Sequence, residues 1–193
     1  MPSLKFSVSI LAGGLSSRMG RDKSRVVLGR RTLLARVRNA AEELGVPVRV
    51  IRRDLVPRCG PLGGIYTALM TSRADAELFL ACDMPFVTAT LLRRVLGKLK
   101  QGRRAACTFV RGVAGFPFAM KAGCLPVVEW QIAARDFSLQ SLATVLRAAR
   151  VSPPAVRRLE ETFNINTPEE LVRARAKEEP RKTGRALKPR GHL

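Results

Sequence analysis

Histidine is nearly absent: the one copy, His192, stands in a basic C-terminal stretch. Nothing beside it would orient the ring, so Ser-His-Asp, Cys-His and multi-histidine metal chemistry are excluded. The four cysteines, Cys59, Cys82, Cys107 and Cys124, never pair as C-x-x-C. That removes zinc knuckles and thioredoxin-like motifs and leaves buried thiols as the expectation. Aromatic residues make up 5% of the chain, too little for the stacking platforms of single-strand nucleic-acid binders. Long apolar runs are missing as well. Leu78 to Cys82 falls far short of the ~20 residues a bilayer span needs, and no signal-peptide pattern opens the chain, so a cytoplasmic protein is expected. Acidic residues are scarce, 15 against 35 basic ones, for a formal charge of +20. Such a field attracts anions without saying which. Any chemistry must run on carboxylates, lysines, arginines, backbone amides or a bound cation.

What is present suits one folded unit. The chain has 193 residues, 46% hydrophobic and 26% charged, enough for one core and too few for two ordinary domains. Ser7 to Leu11 reads as a short strand that ends at Ala12-Gly13-Gly14. Thr32 is a candidate N-cap for a helix carrying Leu33, Leu34, Val37, Ala40, Ala41 and Leu44, with Gly45 as its stop. Val46 to Ile51 predicts a strand, and Pro61 suits the first turn of the next helix. Leu78 to Cys82 has the continuous apolar character of a buried parallel strand. Thr88 opens another helix; Ala105 to Val110 and Phe116 to Lys121 read as strands, and Leu125 to Ala134 and Leu139 to Ala149 as helices. Thr167-Pro168-Glu169-Glu170 is a capping box that starts a last helix.

Strands alternating with helices predict an α/β fold: a three-layer, Rossmann-like, mainly parallel sheet with helices on both faces. One domain is expected over 1–176, with 177–193 a basic, disordered tail. In such sheets ligands sit beyond the carboxyl ends of the strands. Ala12-Gly13-Gly14 and Asp83-Met84-Pro85 both fall there.

Residues Leu11 to Lys23, LAGGLSSRMGRDK, are the most informative stretch. Glycines remove the side chains that would hold an anion away from backbone amides, while Arg18 and Lys23 add full charges for phosphate oxygens. The pattern is neither G-x-G-x-x-G nor a Walker loop. Asp83, following a buried strand, can hold magnesium against a triphosphate or simply cap the Thr88 helix. Gly60-Pro61-Leu62-Gly63-Gly64 would let a flat base or ribose approach the backbone. Asp54 can accept hydrogen bonds from guanine N1 and N2 or from ribose hydroxyls; as a lone feature it reads as a surface loop residue.

Together these segments resemble the molybdenum cofactor guanylyltransferase family, a MobA-like group of nucleotidyltransferases. The matches are L-A-G-G-x-S-x-R-M-G-x-D-K at 11–23, D-x-x-P-x-x-G-P-L-G-G at 54–64, C-D-M-P at 82–85 and N-x-N-T-P-E-E-L at 164–171. They occur in family order and span all but the tail. The resemblance implies the fold of nucleotide-diphospho-sugar transferases and transfer of GMP from GTP to the terminal phosphate of molybdenum-molybdopterin, with Mg2+ as cofactor. It implies that Leu11, Ala12, Gly13 and Gly14 meet the nucleotide through their backbone, together with Gly60, Pro61 and Leu62. Lys23 and Arg18 would lie on its phosphates, Asp54 on its guanosine portion and Asp83 on the magnesium. Asn164 and Asn166 would face the pterin or complete the metal site, or serve only the turn before the last helix. Proteins that deliver or accept the cofactor are the implied partners; a membrane is not, and nucleic acid is disfavoured. The competing expectations are a cytidylyltransferase sibling and, from another class, a basic nucleic-acid-binding protein on a degenerate transferase fold.

Two features depart from the family. Relatives insert a further strand and loop before the Asp54 segment, whereas here Leu44-Gly45-Val46 leads straight into it, so a missing or rearranged strand is expected. Phe116-Pro117-Phe118 stands where relatives often carry a polar residue before proline, so that pterin contact is not carried over.

Overall fold

Strands buried on both faces decide how the layers form. The computed structural model describes residues 4–13, 25–153 and 160–178. Among them are eight strands: β1 (Phe6–Leu11), β2 (Val27–Leu28), β3 (Arg31–Thr32), β4 (Val48–Ile51), β5 (Ala76–Ala81), β6 (Ala105–Val110), β7 (Val113–Lys121) and β8 (Ala149–Val151). Six helices accompany them: α1 (Leu33–Glu42), α2 (Gly60–Thr71), α3 (Ala89–Lys100), α4 (Leu125–Ala133), α5 (Leu139–Val145) and α6 (Pro168–Glu178).

The main sheet has the order β4-β1-β5-β7-β6-β8. β1 pairs in parallel with β4 and β5, β6 pairs in parallel with β8, and β7 is antiparallel to both β5 and β6. Every strand of this sheet except β7 therefore points the same way. Val8, Ile10, Leu78 and Leu80 face α1 and α3, packing on Val37, Ala41, Leu91, Leu92 and Val95. The alternate positions face α2, α4 and α5, where Phe79, Cys107 and Phe118 meet Leu62, Ile65, Val128 and Leu142. Fully burying each large apolar side chain contributes roughly 1.5–3 kcal/mol, so these two cores fix the three-layer arrangement.

A polar network is built into the second face. Glu77, 1% exposed, accepts hydrogen bonds from Ser7 Oγ at 2.5 Å and Ser9 Oγ at 2.6 Å, and pairs with Arg49 at 3.3 Å. The same guanidinium donates to the carbonyls of Ala68 and Thr71 at the C-terminal end of α2. This explains why β1 alternates serine with valine and isoleucine: its polar side faces a buried carboxylate.

Helix boundaries follow their caps. Thr32 Oγ1 accepts from Ala35 N at 3.1 Å, and Thr88 Oγ1 accepts from Leu91 N. The 167–170 capping box closes in both directions, with Glu170 N donating to Thr167 Oγ1 and Glu170 Oε2 accepting from Asn166 N and Thr167 N. Gly45, at φ +69°, follows α1 in the left-handed conformation that glycine accepts without strain.

The strand expected over Val46 to Ile51 is β4 (Val48–Ile51), at the end of the sheet beside β1, in register from Val8↔Val48 to Leu11↔Ile51. Two sequence expectations change. The helix expected over Leu139 to Ala149 ends at Val145, and Ala149–Val151 is instead the edge strand β8. The break comes at Arg147, φ +48°, a left-handed residue with no glycine to announce it. α6 continues to Glu178, past the residue where the tail was expected to start; the remaining tail residues, and with them His192, lie outside the described set. No helix among the described residues is long and apolar enough to cross a membrane. The four cysteines are buried, and none forms a disulfide.

Candidate active site

The carboxyl ends of β1, β4 and β5 lie level, since Leu11 is opposite Ile51 on one side and Ala81 on the other. The next residues are tied to that edge: Ala12 N donates to Ile51 O at 2.8 Å, and Cys82 N donates to Leu11 O at 3.2 Å. Gly13, Asp54 and Asp83 therefore emerge within a few residues of a common edge. Main-chain hydrogen bonding alone brings together three segments separated by up to seventy positions.

Asp54 sits in a seat made by two glycines. A Cβ placed on Gly13 would lie 3.4 Å from Asp54 Oδ1 and 3.1 Å from Arg52 O; one on Gly63 would lie 2.9 Å from both Asp54 Oδ2 and Val56 O. No larger residue fits at Gly63 without moving backbone. The loop carrying Asp54 is pinned to α2 through Thr67, whose Oγ1 accepts from Leu55 N and donates to Gly63 O, each at 2.8 Å. Burial raises the Asp54 pKa above the ordinary carboxylate value, because desolvation disfavours the charged form.

The start of α2 completes this side. Gly60 has φ +52° and faces Phe137, Pro61 occupies the first turn, and Leu62 is fully buried. Leu62 is thus a core residue in the second hydrophobic layer rather than a surface open to a ligand. Leu11 is similar: its side chain packs on Gly64, where an added Cβ would stand 3.1 Å from both methyl groups. Any contact these two leucines make with a nucleotide must come from their backbone.

Asp83 is 8% exposed. α3 takes its cap from Thr88, so the side chain at the head of that helix is not the aspartate. The carbonyl of Asp83 accepts from Ile165 N at 2.9 Å, which brings Asn164 and Asn166 to either side of its loop. Asn164 is exposed, Asn166 half-buried and Ile165 between them fully buried. A small third core joins Val26, Leu28, Leu33, Ile165 and Ala174, with Phe86, Phe163 and Leu171 packed on it. Through it, the chain emerging from the glycine-rich segment meets the Asp83 and Asn164 segments. Gly14, Arg18 and Lys23 themselves lie outside the described residues.

Two features here carry little sequence signal. Val27–Leu28 and Arg31–Thr32 form an antiparallel hairpin around Gly29, φ +61°; the apolar run before a glycine is the clue it offered. Glu161, 2% exposed, accepts a hydrogen bond from Thr88 Oγ1, and nothing in the linear sequence separates it from its exposed neighbour Glu160.

A mainly parallel three-layer sheet, with glycine turns and carboxylates gathered past one edge, is the architecture of a nucleotide-handling α/β domain. The model of the MobA-like NTP transferase domain matches residues 8–155. A probable molybdenum cofactor guanylyltransferase of Pelotomaculum thermopropionicum is 30% identical, over 91% of this chain and 95% of its own. The molybdenum cofactor guanylyltransferase of Rhizobium meliloti is 32% identical, over 86% of this chain and 89% of its own. The chain belongs to the MobA-like NTP transferase family. In fold it resembles the molybdopterin-guanine dinucleotide biosynthesis protein A of Archaeoglobus fulgidus, with a TM-score of 0.66 at 24% identity, covering 89% of this chain and 97% of that one. It also resembles the 2-C-methyl-D-erythritol 4-phosphate cytidylyltransferase of Thermus thermophilus, with a TM-score of 0.62 at 16% identity, covering 90% and 98%.

Proposed function

We propose that this protein transfers GMP from GTP to the terminal phosphate of molybdenum-molybdopterin and releases pyrophosphate. The names of its relatives support the reaction. The observation that carries it is the seat of Asp54: a half-buried carboxylate packed against Gly13 and Gly63, whose two oxygens suit two donors side by side, as guanine N1 and N2 present them. Cytosine offers no such pair, which favours GTP over CTP.

The nucleophile needs no general base. A phosphate monoester has its second pKa near roughly 6 and is largely ionised at neutral pH. The protein has only to align two anions and neutralise the charge between them, a task that fits a chain without a usable histidine. Backbone amides at Ala12 to Gly14, with Arg18 and Lys23, would hold the triphosphate. Asn164 and Asn166 would face the pterin. Asp83 and the asparagine amides are hard oxygen donors, and magnesium takes one or two carboxylates with phosphate oxygens and water. That donor set fits the ion, which when bound would supply further neutralisation of phosphate charge.

Equilibrium binding of GTP, CTP and ATP, with and without magnesium, tests the proposal. GTP should bind tightest, and ligand at ~100 times its dissociation constant should stabilise the protein by about 2.7 kcal/mol. Stabilisation by duplex DNA and none by GTP would refute it. Lys23→Ala should depress turnover, and Asp83→Ala should abolish both activity and its magnesium dependence. A Lys23→Ala enzyme with unchanged kinetics would also count against the assignment.

A further inference from the structure

We infer that Glu161 is a positioning residue for this reaction: its buried carboxyl clamps the 160–167 segment to the head of α3 and so fixes Asn164 and Asn166 relative to Asp83. The inference rests on the function proposed above.

Glu161 is 2% exposed, and its Oε1 accepts from Thr88 Oγ1. Thr88 is the N-cap of α3 and accepts from Leu91 N with the same hydroxyl, so one oxygen joins the helix start to the asparagine segment. The positive end of the helix favours an acidic partner. Glu161 Oε2 is buried with no hydrogen-bond partner among the described residues. A half-satisfied buried carboxyl is a poor way to stabilise a fold, and unsatisfied groups of this kind concentrate where function constrains the chain.

Three further contacts show what the clamp holds. Phe163 lies against Phe86, ring centroids 6.3 Å apart, and Lys177 Nζ stands 4.9 Å from the Phe163 ring centroid. Ile165 is fully buried and its N–H donates to Asp83 O. Glu170 Oε2 then holds the amides of Asn166 and Thr167. The Glu161 contact adds an anchor at the end of the segment where the chain enters. Asp83 and Thr88 bracket one loop, and Ile165 and Glu161 grip that loop at its two ends. A shift of the segment along the loop would move both asparagines while leaving the Asp54 seat, on the far side of β1, undisturbed.

The test uses the full chain with Glu161→Ala, Glu161→Gln and Thr88→Ser. Glu161→Ala should lower kcat/KM for molybdenum-molybdopterin by about 10–100-fold, as loss of an orienting outer partner does, with the GTP Kd within about twofold of wild type. Glu161→Gln keeps the acceptor and Thr88→Ser keeps the hydroxyl, so each should retain most of the activity. Amide exchange supplies a second readout: in Glu161→Ala the Ile165 and Asn166 amides should lose protection while those of β1 and β5 keep theirs. Unchanged pterin kinetics in Glu161→Ala would overturn the inference, as would equal damage to GTP binding. If the wild-type protein makes no product from GTP and molybdenum-molybdopterin, the proposed function fails. In that event unchanged Ile165 protection in Glu161→Ala still refutes the clamp.

Discussion

Replacing Gly63 by alanine tests the Asp54 seat at a single atom. Gly63 lies inside α2 with an ordinary backbone conformation, so propensity alone favours alanine by about 1 kcal/mol. Against this, the new methyl group would stand 2.9 Å from Asp54 Oδ2 and 2.9 Å from Val56 O. The carboxylate can rotate, but the carbonyl belongs to a loop pinned through Leu55 and Thr67. Overpacking of this kind costs about 1–3 kcal/mol, which leaves a net loss of up to about 2 kcal/mol. For a chain of this length that lowers Tm by up to roughly 8 °C. Displacing Asp54 should also remove charged hydrogen bonds to the base, about 1.5–3 kcal/mol, or roughly 10–100-fold in GTP Kd. Gly97→Ala supplies the control. It is the same substitution inside α3, with no atom within 4 Å of the added Cβ, and should stabilise by about 0.5–1 kcal/mol without touching GTP affinity. Thermal unfolding and nucleotide titration of the two variants decide the matter. A Gly63→Ala protein as stable as wild type, with unchanged GTP binding, would refute the seat.

Asp54→Asn should be more stable than wild type at neutral pH and lose GTP affinity. Burial raises the native Asp54 pKa above the ordinary carboxylate value, so stability contributed by the protonated form is lost as pH rises through the raised value. The difference between variant and wild type in urea midpoints should therefore shrink as pH falls toward that ordinary value. Glu77→Ala should destabilise by about 3 kcal/mol, at the low end for a broken buried pair because the Arg49 side chain stays 30% exposed; urea unfolding measures it. Cys107, whose pKa burial pushes up to about 12 against the opposing charge of Arg150, should resist iodoacetamide at pH 8 until the protein unfolds. Rapid alkylation of the native thiol would contradict its burial.

How much of this was legible beforehand depended on whether the deciding contact was local. The caps at Thr32, Thr88 and Thr167 reach three residues along the chain, and the sequence placed all three helix starts. The apolar run of β5 and the glycine turn after β1 announced the leading edge of the sheet. The end of α5 was illegible because Arg147 adopts a left-handed conformation usually left to glycine, and strand β8 was lost with it. Leu62 was placed among the nucleotide contacts by its motif, yet its side chain belongs to the core. Glu77, Arg49 and Glu161 are paired across at least 28 positions. Composition makes each look like one more surface charge, and only the fold reveals the two glutamates as buried and Arg49 as the partner of one of them.

The division of labour between the two sides of β1 follows from the same contacts. On one side, β4 and α2 present a rigid seat whose atoms are fixed by backbone: two glycines, a pinned loop and a helix start. Under the proposed function this seat reads the base, because the loop that carries the carboxylate is pinned to α2 through Thr67. On the other side, the Asp83 loop and the asparagine segment are joined through a small third core, the Ile165 N–H to Asp83 O hydrogen bond and the buried Glu161 carboxyl. These contacts and the Asp54 seat lie on opposite sides of β1. Base recognition and alignment of the attacking phosphate can therefore be perturbed separately. Variants at Gly63 and Asp54 should act on GTP affinity, whereas variants at Glu161 should act on pterin kinetics. A single substitution on either side that moved both parameters together would mean that the β1 edge transmits strain from one half-site to the other.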